Sequence, residues 1–123
     1  MRYILTLDIY VDGSPTRGIV IVYSKECPRI LHFDPVSRVD PFMNELEAIY
    51  KALYHAPDNI DIDLYSDNLI IVNQLSLKYK IRSPLVREYF FLIHDLIKKK
   101  NVRVNFRYIP REQNIAGYPI EKR

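Results

Sequence analysis

The chain has 123 residues, 48% of them hydrophobic and 27% charged, which suits one globular domain over residues 1–123 and excludes a disordered or low-complexity chain. Its one cysteine, Cys27, excludes an intrachain disulfide and a paired-cysteine metal knuckle and leaves a reducing, cytoplasmic setting as the expectation. The net charge of +3 permits a polyanionic partner without demanding one, no apolar run approaches the roughly 20 residues that span a bilayer, and the carboxylate of Asp8 comes too early for a signal peptide.

The opening stretch alternates. Tyr3, Leu5, Leu7, Ile9 and Val11 fall on one face, and Ile4, Thr6, Asp8, Tyr10 and Asp12 on the other, as in a strand. The turn cluster Asp12-Gly13-Ser14-Pro15 ends it. A second strand follows at Gly18–Tyr23, rich in β-branched residues, and a third at Arg29–Phe33. The two short connections imply an antiparallel meander. The period then becomes helical, with Phe42, Leu46, Ile49, Tyr50 and Leu53 on one stripe, until Ala56-Pro57-Asp58-Asn59 stops it. Ile60, Ile62 and Leu64 make a fourth strand that ends at Ser66-Asp67. Helical spacing resumes at Leu69, Val72 and Leu75. Ser83-Pro84 opens another helix, Ser suiting the cap and Pro the first turn. The expected stripe of that helix is Leu85, Tyr89, Leu92, Ile93, Leu96 and Ile97, and Lys98-Lys99-Lys100-Asn101 ends it. A last strand alternates through Val102, Val104, Phe106 and Tyr108, Ile109-Pro110 closes it, and a short polar tail is expected after it. The order β-β-β-α-β-α-α-β places a crossover helix before the fourth strand. The fold class is therefore α/β, a mixed sheet flanked by helices.

Three acids stand at the ends of these elements. Asp12 closes the first strand, Asp67 closes the fourth, and Glu45 flanks the core stripe near the start of the first helix. If the two strands are parallel neighbours, their carboxyl ends meet where open α/β sheets gather ligands. Each acid alone has an ordinary explanation as a turn residue, a helix cap or a partner of the helix dipole. Three converging carboxylates with few basic partners repel one another and need cations between them. Hard oxygen donors suit Mg²⁺ or Mn²⁺. Two such ions about 4 Å apart promote phosphodiester cleavage. His32, His55 and His94 stand singly, without metal-ligand spacing.

The segments Ile9-Tyr10-Val11-Asp12-Gly13-Ser14, Met43-Asn44-Glu45-Leu46-Glu47-Ala48, Leu64-Tyr65-Ser66-Asp67-Asn68 and Tyr108-Ile109-Pro110-Arg111-Glu112-Gln113-Asn114 together resemble the ribonuclease H type 1 family across nearly the whole chain. The resemblance implies a five-stranded mixed sheet of order 3-2-1-4-5. It implies Mg²⁺-dependent (Mn²⁺ possible) endonucleolytic hydrolysis of the RNA strand of an RNA–DNA hybrid, with two ions per site. Asp12, Glu45 and Asp67 would be the catalytic metal ligands. The chain departs from the pattern at Gly117, where the family carries a fourth acid, which makes Glu121 the nearest replacement as catalytic fourth ligand. It also has Arg111 and Glu112 where some members have a histidine. Beside the acids, Gly13, Ser14, Asn44 and Asn68 are the expected 2′-hydroxyl contacts, and Lys78, Lys80 and Arg111 the expected phosphate contacts. No membrane association and no obligate protein partner are expected. Two other readings stand beside this one: a nuclease of the same fold acting on another nucleic acid, such as a junction resolvase, and a non-catalytic ribonuclease H-like module that binds nucleic acid.

Overall fold

A computed structural model describes residues 6–24, 29–77 and 80–117. Five strands form one sheet: β1 (Thr6–Ser14), β2 (Gly18–Ser24), β3 (Arg29–Phe33), β4 (Asp61–Ser66) and β5 (Arg103–Tyr108). Helix α1 (Pro41–Tyr54) connects β3 to β4, and helices α2 (Leu69–Leu75) and α3 (Pro84–Lys100) connect β4 to β5. The strand order is β3-β2-β1-β4-β5. The β1–β2 and β2–β3 pairs are antiparallel, whereas β1–β4 and β4–β5 are parallel. This is the expected ribonuclease H-like topology, with α1 making the crossover that parallel neighbours need.

The core lies between the sheet and the α1–α3 layer. Leu7, Ile9 and Val11 of β1, Ile19, Ile21 and Tyr23 of β2, and Ile62 and Leu64 of β4 pack against Leu46, Ile49, Ala52 and Leu53 of α1. Tyr23 keeps its hydroxyl satisfied inside this layer by donating to the Ala52 carbonyl at 2.6 Å. Two helices start as the sequence suggests. Asp40 accepts from the Phe42 and Met43 amides ahead of Pro41, and Ser83 accepts from the Val86 amide ahead of Pro84. Asn101 ends α3 in the left-handed region, at φ 54°, where Asn is tolerated.

Three details differ from the sequence expectation. First, β1 runs past the expected turn to Ser14, because Gly13 and Ser14 still pair with Ile19 and Gly18. The turn shrinks to residues 15–17, and Gly18 closes it at φ +89°, where an added Cβ would lie 2.5 Å from the Phe33 carbonyl oxygen. Second, the stripe of α3 differs at its edges: Tyr89, Ile93, Leu96 and Ile97 pack in the core as expected, but Val86 and Phe90 join them and Leu85 and Leu92 do not. Val86 and Ile93 are its buried residues, Phe90 packs with them, and Leu92 is 46% exposed. At about 100° per residue, docking against α1 chooses between neighbouring apolar residues, Leu85 or Val86 and Phe90 or Leu92. Third, the segment after β5 is structured, as two 3₁₀ turns at Arg111–Gln113 and Ile115–Gly117. Ala116 of the second turn is fully buried against Val20 and Val22 on the sheet face away from the core helices.

Candidate active site

The parallel β1–β4 pairing, in which Tyr10 stands opposite Tyr65, brings two carboxyl strand ends side by side. Asp12 lies on the last turn-ward residues of β1, and Asp67 follows the last residue of β4. Glu45 reaches them from the second turn of α1. Each of the three offers one carboxylate oxygen, and these oxygens lie within 4.8 Å of one another.

Buried hydrogen bonds fix the arrangement. Glu45 is 3% exposed. Its Oε1 accepts from the Gly13 amide at 3.0 Å, and its Oε2 from the Ser66 hydroxyl at 2.7 Å. Ser66 in turn accepts from the Asn68 amide at 3.1 Å. The carboxylate therefore ties the ends of both strands to the helix. Contact this close requires glycine at position 13. A Cβ there would sit 2.4 Å from the backbone carbonyl of Asn44 and 2.6 Å from the Glu45 nitrogen. Asp67 is held from the far end of the chain: the Asn114 amide donates to Asp67 Oδ2 at 3.1 Å and to the Val11 carbonyl at 2.9 Å. Arg17, in the β1–β2 turn, stands 3.5 Å from Asp12 Oδ2.

Burial pushes the Glu45 carboxyl up to about 8, and the charges of Asp12 and Asp67 push in the same direction against the hydrogen bonds from Ser66 and Gly13. A dense set of hard oxygen donors that resist ionising together is what a small divalent cation resolves. The residues thus fit Mg²⁺ or Mn²⁺. The acids open onto a cleft of about 400 Å³ flanked by Asn68 and Arg111, with an apolar lip of Pro41, Leu69 and Ile70. A larger groove of about 610 Å³ along β5 is lined by none of these acids.

The other expected contact residues divide. Asn68 and Arg111 line the cleft. The Gly13 amide is spent on Glu45, and the Ser14 hydroxyl accepts from the Thr16 and Arg17 amides, bracing the turn. Lys80 is exposed. Lys78 and Glu121 lie outside the described residues, as does Cys27. Asn44 departs from its expected role as a 2′-hydroxyl contact. It is fully buried, accepts from the Val36 and Ser37 amides, and donates to the Ser37 and Asp40 carbonyls. Its neighbour in sequence faces the acids, but a one-residue step on a helix turns the side chain away, here into the loop before α1. Three residues of the site were not assigned from sequence. Ser66 had a signal: it shares the inward parity of Ile62 and Leu64, where a polar group must find a partner. Asn114 ends the Tyr108–Asn114 segment, for which the family resemblance implied a role only at Arg111. Arg17 showed no sequence signal.

The sequence matches the reverse transcriptase-like family over residues 17–118. No curated protein sequence matches it. Among solved structures it is similar to ribonuclease H1 of Halobacterium salinarum, at 20% identity, 94% coverage of each chain and a TM-score of 0.75. It is similar to LC11 ribonuclease H1 in complex with an RNA/DNA hybrid, at 22% identity, 94% coverage of each chain and a TM-score of 0.70. It is also similar to the N-terminal ribonuclease H domain of a Mycobacterium tuberculosis protein, at 17% identity, 94% and 95% coverage and a TM-score of 0.74. At these identities the structural likeness speaks for the fold, and it agrees with the resemblance read from the four segments. The chain belongs to the reverse transcriptase-like family and carries its ribonuclease H-like fold.

Proposed function

We propose that this protein is a divalent-cation-dependent endonuclease that hydrolyses the RNA strand of RNA–DNA hybrids. The observation that carries this reading is the cluster of Asp12, Glu45 and Asp67 oxygens within 4.8 Å, at the carboxyl ends of β1 and β4. A solved relative in fold that holds an RNA/DNA hybrid supports the choice of substrate.

The three acids would hold two Mg²⁺ or Mn²⁺ ions, which when bound supply an activated water and neutralise charge at the scissile phosphate. The protein's own residues supply position. Gly13 and Ser66 fix both oxygens of Glu45, and Asn114 fixes Asp67. Arg111, at the cleft, gives a guanidinium for a phosphate. Asn68 accepts from the Ile71 amide through Oδ1, which leaves its NH₂ group to meet a ribose 2′-hydroxyl, the group that tells RNA from DNA. The products carry 5′-phosphate and 3′-hydroxyl ends.

The test is turnover of a labelled hybrid in Mg²⁺ and in Mn²⁺, with duplex DNA and a four-way junction alongside. Cleavage of the RNA strand alone, reduced by roughly a hundredfold or more in Asp67→Asn, is the expected result; loss of an outer-shell metal partner alone costs 10–100-fold. Cleavage of the junction or duplex instead would redirect the substrate. The non-catalytic reading draws on Gly117, which stands where the family pattern carries an acid. A Cβ at Gly117 meets nothing within 4 Å, so Gly117→Asp is tolerated sterically. An inert wild type that binds the hybrid, with turnover gained in Gly117→Asp, would assign the natural chain to binding.

A further inference from the structure

The sequence offered the three acids few basic partners, yet the structure sets one against them. The Arg17 guanidinium lies 3.5 Å from Asp12 Oδ2, with its side chain 24% exposed. Its backbone is held on both sides. The Ser14 hydroxyl accepts its amide at 3.3 Å, and the His32 ring Nε2 donates to its carbonyl at 3.1 Å. The next residue is Gly18, whose positive φ lets the turn close against Phe33. The turn is therefore built to aim one cation at Asp12, itself a lining residue of the cleft, while the side chain keeps an edge to solvent.

A guanidinium this close to Asp12 and a divalent cation on the same carboxylate repel each other strongly at low local dielectric. Only one of them can have Asp12 as its main partner. A displaced Arg17 stays tethered within a side chain's length of the acids, where a phosphodiester backbone would lie. Arginine suits that second partner, since its fork of donors matches phosphate oxygens.

We propose that Arg17 is a positioning residue that exchanges partners. It neutralises Asp12 when no divalent cation is bound, and it turns to a substrate phosphate once a cation takes Asp12. The phosphate half rests on the nuclease reading given above; the cation half does not.

The test uses the full chain with Arg17→Gln and Arg17→Lys. Mn²⁺ binding is measured by calorimetry without nucleic acid, and hybrid binding is measured in Ca²⁺. Arg17→Gln is expected to bind Mn²⁺ roughly three- to tenfold more tightly, because its competitor is gone, and to bind the hybrid several-fold more weakly. Arg17→Lys keeps the charge and is expected to lie near wild type for Mn²⁺ and between the two for the hybrid. Circular dichroism of each variant confirms that it folds; if Arg17→Gln does not, Arg17→Met removes the same charge and takes its place with the same expected and overturning outcomes. Unchanged or weaker Mn²⁺ binding in Arg17→Gln overturns the proposal, and so does tighter Mn²⁺ binding with unaltered hybrid affinity. A wild type that binds Mn²⁺ but no hybrid overturns the nuclease reading instead, and the Mn²⁺ arm still reads the cation half.

Discussion

Gly13 sits where β1 and α1 come closest, and its substitution tests how tightly the acids must be held. In Gly13→Ala the new methyl meets backbone atoms of Asn44 and Glu45, which cannot swing aside as a side chain could. Helix α1 must shift, and Glu45 moves with it. The expected cost is about 1–3 kcal/mol in urea unfolding, with turnover falling roughly a hundredfold, since sub-ångström placement is at stake. Gly117→Ala serves as the control, because nothing lies near its Cβ; it should stay within about 0.5 kcal/mol of wild type. At this scale the sequence showed the acids, because Asp12 and Asp67 end strands and Glu45 begins a helix. It hid Arg17, whose reach to Asp12 depends on the exact closure of the turn at residues 15–17. It misplaced Asn44, because neighbours in sequence are not neighbours on a helix face.

Among the elements, the two 3₁₀ turns after β5 bring a residue back into the site. Asn114 lies between them, buried, with its Oδ1 accepting from the Ala116 amide and its NH₂ group shared between Val11 and Asp67. Asn114→Ala leaves the Val11 carbonyl without that donor inside the protein and frees Asp67 to rotate. The expected outcome is a loss of about 1–3 kcal/mol together with a lower kcat at saturating cation. Circular dichroism at each Mg²⁺ concentration used for the kinetics would separate this from simple unfolding, in which activity would fall only in step with the folded signal. The antiparallel meander and the parallel crossover were legible in the connections, and the full order 3-2-1-4-5 in the resemblance of the four segments to the ribonuclease H family. The edges of the α3 stripe and the turns after β5 were not. Each is set by contacts with distant segments, and the local pattern of α3, with Leu85, Val86, Phe90, Phe91, Leu92 and Ile93, admits more than one buried face.

Over the whole molecule, the shared site links stability to pH. In the folded, cation-free protein the Glu45 carboxyl is held up at about 8, against 4.5 for an unperturbed glutamate. Between those values the folded state holds a proton that the unfolded chain has released. Stability contributed by this group is therefore complete below about pH 4.5 and is lost as pH rises through about 8. Urea unfolding in a chelator should show a drop on the order of a few kcal/mol from pH 5 to pH 8.5. Glu45→Gln should flatten that drop, and saturating Mg²⁺ should reverse it at the alkaline end by binding the folded state alone. A drop of the same size in Glu45→Gln would assign it to other groups.

The bond from Asn114 to Val11 spans 103 positions of the chain, and that span orders events in time. All three acids are made by residue 67, well before Asn114, and β1 and β4 can pair around them once they emerge. Asp67 still lacks the amide that fixes it, and Val20 and Val22 still lack Ala116. A chain halted before residue 114 would carry Asp12, Glu45 and Asp67 and no finished site, so the last-made segment works as a safety catch on the chemistry.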